Sequence, residues 1–173
     1  YKKVADLCRE WGAPTLMYIA GWQIFGTSRK EAWSWTSESL NEIAEFAPDL
    51  TIAIEPTSSD SNLIDSCDDV IELMDQVDKP NIGAMFDTFH TLYRNEVPTD
   101  YIYRLGKRLK HIHLADLDRG PPGSGVVDYV SIIQALRDVE YGGYLAMEIG
   151  FNRRNVEPDD MARRAHDYLR SII

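Results

Sequence analysis

Five short apolar runs alternate with longer segments of helical period, and this alternation limits the chain to a parallel sheet covered by helices. The runs are Thr15 to Ala20, Leu50 to Glu55, Ile82 to Asp87, Lys110 to Ala115 and Tyr144 to Ile149. β-Branched and small residues, with Pro56 closing the second run, mark them as strands. Before the first strand, Val4, Leu7, Cys8 and Trp11 have helical spacing, and Gly12 ends that helix. Ser28 with Glu31 forms a capping box for a helix reaching Phe46. Further helices are predicted from Ser66 to before Pro80, Asp100 to Leu109, Tyr129 to Val139, and Pro158 to Ile172. The last starts with proline at a first-turn position, where its missing N–H is no loss.

An open doubly wound sheet and a closed (β/α)8 barrel both satisfy this order. The polar residues distinguish them. Open sheets gather functional groups at one switch point, whereas barrels carry them at the C-terminal ends of several strands. Here Glu55, Asp87, His113 and Glu148 each close, or nearly close, a separate strand. Because side chains alternate across a strand, Glu55 shares a face with Thr51 and Ala53, Asp87 with Gly83 and Met85, His113 with His111 and Ala115, and Glu148 with Tyr144 and Ala146. The opposite faces (Ile52/Ile54, Ala84/Phe86, Ile112/Leu114 and Leu145/Met147) are apolar and suited to packing under helices. The expected fold is therefore an α/β TIM barrel, over residues 1–173 as one domain. About 250 residues and eight strands are typical of that barrel. Five strands and a start without methionine imply its C-terminal five strand-helix units, lacking about the first three.

Three carboxylates and an imidazole brought together at a barrel mouth repel unless a cation lies among them. An oxygen-rich set with one imidazole suits Mn²⁺, Mg²⁺ or Co²⁺, with Zn²⁺ also possible. Taken singly, each of these residues is an ordinary polar strand end; four in successive units are not. His90 follows Asp87 by three residues and lies at the same mouth. It reads either as a substrate contact or as a hydrogen-bonded structural histidine. Arg119 precedes a Gly-Pro-Pro-Gly loop and reads as a substrate contact or a solvated arginine. His111, one layer below His113, reads as an interior histidine.

The segments I-E-P at Glu55, F-D-T-F-H from Phe86 to His90, H-I-H-L-A-D-L-D-R-G-P-P-G-S-G from His111, and G-G-Y-L-A-M-E-I-G from Gly142 resemble the tagatose/allulose (ketose) 3-epimerases. Those belong to the xylose-isomerase-like barrels. The resemblance covers the chain from Thr15 onward. It implies one divalent metal ion held by Glu55, Asp87, His113 and Glu148, with Glu55 and Glu148 doubling as the catalytic acid/base pair. It also implies that His90 and Arg119 hold substrate oxygens. The chemistry is compatible: a cation gripping a carbonyl stabilises an enediolate while one carboxylate removes a proton and another returns it. The sequence departs from the family after Glu55, where Ser61 occupies the spacing of a substrate-contacting glutamate and Asp60 is displaced by one.

The implied activity is a metal-dependent sugar isomerase or epimerase acting on a ketose or related carbonyl compound. Alternatives are a dehydratase of the same superfamily, acting on a keto-cyclitol or dehydroshikimate, and a truncated non-catalytic barrel fragment. A multi-zinc endonuclease of the superfamily needs more than the four histidines present, and a net charge of −10 disfavours nucleic acid. The tightest basic group, Lys107, Arg108 and Lys110, is expected at a helix end, where cations suit the dipole. The two cysteines fit no zinc-ligand spacing, and no apolar run is long enough to span a membrane. A cytoplasmic protein is the resulting expectation. Two bare sheet edges further predict a homo-oligomer or a missing N-terminal segment.

Overall fold

Helix caps written into the sequence set most of the element boundaries. In the computed structural model, which describes residues 1–150 and 157–173, Ser28 Oγ accepts from Glu31 N, and the Glu31 carboxylate accepts from Ser28 N. This reciprocal cap starts α2 (Arg29–Phe46). Ser66 and Asp128 similarly cap α3 (Cys67–Val77) and α6 (Tyr129–Asp138). α1 (Lys2–Trp11) ends at Gly12, and α7 (Pro158–Ile172) begins on its proline, both as expected.

The chain forms two compact units, Tyr1–Met85 and Phe86–Ile173. In the first, β1 (Thr15–Tyr18) pairs with β2 (Thr51–Ile54), which pairs with β3 (Ile82–Asp87), all in parallel. Leu16 lies beside Ile52, Ile52 beside Ile82, and Ile54 beside Ala84. Their side chains are buried, as are Leu40 and Ile43 of α2 and Leu73 of α3. Arg29 ties α2 to α3 through Asp69 and also donates to Leu63 O. The α2–β2 connection is fixed from outside its own sequence: Asn81 Nδ2 lies 3.1, 3.0 and 3.2 Å from the carbonyl oxygens of Ala44, Ala47 and Leu50. One amide thus satisfies the end of a helix and the start of a strand.

The second unit begins at the end of β3 and continues through α4 (Thr88–Tyr93), α5 (Pro98–Leu105), β4 (Leu109–Leu114), α6, β5 (Leu145–Met147) and α7. β4 and β5 are parallel, with Ile112 beside Leu145 and His113 beside Ala146. Ile112 and Leu114 face a core that holds Phe86, Ile102, Leu105, Tyr129, Ile132, Leu136 and Leu169. At its top, Thr88 Oγ1 donates to Ala115 O at 2.7 Å and accepts from Ala115 N at 2.9 Å.

The structure corrects several sequence-based boundaries. β1 stops at Tyr18 and β5 covers only three residues. The helix expected over Asp100 to Leu109 is α5 followed by a 3₁₀ turn at Gly106–Arg108. Gly106 has φ 51°, a left-handed value that interrupts an α-helix and that glycine adopts without steric cost. The short α4 was not anticipated. On β5, the outward Leu145 is only half-buried and Met147 is 37% exposed, whereas α7 packs on α6.

The Asn81 clamp gives a stability test. Asn81→Ala leaves three carbonyls without this donor and is expected to cost about 1–3 kcal/mol, measured by urea unfolding. A change within about 0.3 kcal/mol would show that solvent replaces the amide without loss.

Candidate metal centre

Burial of a carboxylate at the end of β3 defines this site. The Asp87 side chain is fully buried. Its Oδ1 accepts from Phe89 N at 2.8 Å, capping α4, and its Oδ2 accepts from Arg119 Nη1. His113 reaches the same place from β4, and Glu148 from the residue just after β5, where Glu148 N continues the ladder by donating to Leu114 O. His113 Nδ1 lies 2.8 Å from Glu148 Oε2. Ligand atoms of Asp87, His113 and Glu148 all lie within 4.8 Å of one another.

Arg119 completes the group. Its Nη1 also lies 3.1 Å from Glu148 Oε2, its Nη2 is 3.3 Å from His90 Nε2, and its Cζ stands 4.2 Å from the centroid of the Phe89 ring. The guanidinium is therefore part of the cluster and not a solvated loop arginine. His90 is buried, and its ring meets Phe89 edge-on. His111 stands apart from the ligand set, its ring 5.0 Å from that of His113. Glu55, which follows β2, is buried in the first unit, with its N–H donated to Tyr18 O. Ser61 is committed to its own loop, accepting from the N–H groups of Leu63 and Ile64.

The residue that sequence reasoning passed over is Asp116. It is fully buried, and its carboxylate accepts backbone N–H groups from Leu117, Gly125, Val126 and Val127, closing the Gly/Pro-rich loop on itself. A Cβ at Gly125 would lie 2.1 Å from Asp116 Oδ1, so the loop closes only over a glycine. Asp118 and Arg119 both take left-handed backbone angles, φ 55° and 59°. Two adjacent non-glycine residues in that region are strained, a state that persists only when surrounding bonds impose it. The signal available in the sequence was an aspartate before a glycine-rich turn, which favours side-chain capping of backbone N–H groups.

The two carboxylates of the cluster, Asp87 and Glu148, are shifted in opposite directions. Burial pushes Asp87 up to about 6, against the opposing pull of Arg119 and the Phe89 N–H. Contact with His113 draws Glu148 down to about 2, with Asp87 and Arg119 reinforcing it. Two acidic groups and an imidazole so close together make a donor set for a hard or borderline divalent cation, and the oxygen-rich chemistry fits such an ion.

Residues 1–172 match the family described as the xylose isomerase-like TIM barrel. The chain belongs to that family. Its five parallel strands and their helices are an incomplete barrel of this xylose isomerase-like fold. It is similar to the fructoselysine 3-epimerase of Escherichia coli O157:H7, with 26% identity over 99% of this chain and 65% of that protein. It is 31% identical to the D-psicose 3-epimerase of Enterocloster bolteae over 64% of this chain and 38% of the relative. A solved D-allulose 3-epimerase from Methylomonas sp. superposes with a TM-score of 0.90 at 21% identity, covering 99% of this chain and 68% of that one. Inosose dehydratases also occur among the relatives. The chain thus spans between about a third and two thirds of the length of these curated relatives. No helix among the described residues is long and apolar enough to cross a membrane.

The raised Asp87 carboxyl predicts a pH dependence. An acid whose folded value (about 6) exceeds its ordinary 3.8 adds stability at low pH that is lost as pH rises through about 6. Metal-stripped Asp87→Asn should therefore gain on the wild type between pH 4 and pH 7, by about 1–3 kcal/mol in urea titrations with chelator. Glu148 has the opposite sign, and its contribution is lost only as pH falls from 4.5 towards 2, so it changes little in that window. A flat difference from pH 4 to 7 would contradict the assignment.

Proposed function

We propose that this chain carries the catalytic face of a metal-dependent sugar epimerase or isomerase acting on a ketose or related carbonyl compound. One observation carries the reading: Asp87, His113 and Glu148, from the ends of three strands, meet in one cluster beside Arg119 and His90. Glu55 is assigned as the fourth ligand. Support for this comes from the β2–β3 register, in which Ile54 lies beside Ala84, so that Glu55 falls beside Met85 on the face of β3 that Asp87 shares.

When bound, Mn²⁺, Mg²⁺, Co²⁺ or Zn²⁺ would polarise the substrate carbonyl and acidify the neighbouring C–H. The chain's own residues do the rest. Glu148 and Glu55 form the acid/base pair, one removing the proton from carbon and the other returning it to the opposite face. The contact of Glu148 with His113 favours its ionised form, as a base must be. Arg119 and His90 hold substrate oxygens, and the Asp116-closed loop fixes the backbone from which Arg119 reaches them. The lost glutamate at Ser61 supports a substrate whose contacts on that side differ from those of the ketose 3-epimerases. The remaining barrel wall is assigned to further chain or to a second copy.

Incubation of candidate ketoses with the metal-loaded protein in D₂O, followed by NMR, tests the reading. Deuterium entering at the epimerised carbon with no loss of water supports it. Elimination of water would instead make the protein a dehydratase using the same cluster, as inosose dehydratases among its relatives allow. Glu148→Gln keeps a weak oxygen donor but no base, and should slow exchange by about 10²–10⁴-fold. Near-normal exchange in that variant would move the base elsewhere.

A further inference from the structure

Arg119 and a bound cation call on the same oxygens. Asp87 Oδ1 is engaged by the Phe89 N–H, so Oδ2 is the oxygen available to a metal, and this is the atom that Arg119 Nη1 contacts. The same nitrogen reaches Glu148 Oε2, itself 2.8 Å from His113 Nδ1. Nη1 therefore bridges two of the residues assigned above as ligands. Metal–oxygen bonds are only about 2.0–2.6 Å long, so an ion held by these residues would compete with this nitrogen for the same two oxygens. Two cationic groups in contact in a site that buries Asp87 completely would also repel strongly.

We infer that Arg119 is a competitive gate on the metal site: its guanidinium holds Asp87 and Glu148 until a cation displaces it, and the displaced guanidinium is then free for a substrate oxygen. The inference rests on the metal-site reading above. The guanidinium also lies against the Phe89 ring and beside His90, contacts that do not depend on the two carboxylates. Withdrawal from the carboxylates needs only side-chain torsions, since the backbone of Arg119 is held by Gly150 N donating to its carbonyl at 2.7 Å. An order of events follows, with metal loading preceding productive substrate binding.

The test is titration of Mn²⁺ alone into the metal-stripped protein, with free Mn²⁺ followed by electron paramagnetic resonance. Arg119→Gln removes the competitor and is expected to bind Mn²⁺ about tenfold more tightly than wild type, the scale of one charge-assisted contact pair. Arg119→Lys keeps the charge but loses the planar fork, and should fall between them. In wild type, the Arg119 side-chain ¹⁵N resonance, assigned by its loss in Arg119→Lys, should shift when Mg²⁺ is added. Equal or weaker Mn²⁺ binding by Arg119→Gln while wild type binds would overturn the gate and leave the metal site standing. If Arg119→Gln does not fold, an Arg119→Lys affinity no tighter than wild type, or an unmoved ¹⁵N resonance, overturns it. Absence of Mn²⁺ binding in all three proteins would overturn the metal-site reading and the gate together.

Discussion

A carboxylate removed from water at the end of β3 is the constraint around which the second unit is organised. An isolated buried Asp87 would be prohibitively costly, and its neighbours can be understood as compensation. The Phe89 N–H takes one oxygen and thereby starts α4, which in turn supplies His90 and the Phe89 ring. Arg119 takes the other oxygen from a loop that exists only because Asp116 closes it. Thr88, one residue along, fastens the end of β3 to Ala115 through a single hydroxyl. Compensation remains incomplete, since burial still drives the Asp87 carboxyl upward to about 6. On the metal-site reading proposed above, that residual instability is the stability a site gives up for its function.

Much of this was legible in the sequence where the signal is local. Ser28 and Glu31 stand three residues apart, and the capping box they form needs nothing else. The alternation in Lys110 to Ala115 put Ile112 and Leu114 in the core and His113 on the opposite side, and the burial pattern agrees. Asp87, His113 and Glu148 could be paired in advance because parallel strands in register bring their C-terminal ends to one level. α4 escaped because six residues are too few for a helical period to emerge, and its cap is the same aspartate that looked like a strand-end ligand.

What the sequence withheld is non-local. Arg119 meets Asp87 across 32 residues and Glu148 across 29, and nothing in the run R-G-P-P-G reports which carboxylates it will face. Asp116 looked like one polar residue among several, because its partners lie as many as eleven residues away and become reachable only once the loop has turned. The outer face of β5 read as core from its pattern alone. Its exposure depends on which elements cover it, which no strand periodicity encodes.

The left-handed backbone at Asp118 and Arg119 has a thermodynamic meaning of its own. A flexible arginine loop would lose conformational entropy each time it closed on a ligand, and that loss would come out of the affinity. Here the chain is already bent, at a cost of order 1–3 kcal/mol per strained residue, and the cost is met during folding by the bonds that Asp116 makes. Conformational work that many loops do on encounter is thus done once, when the polypeptide folds. The guanidinium meets its partner from a preset mount, with only side-chain torsions left to arrange.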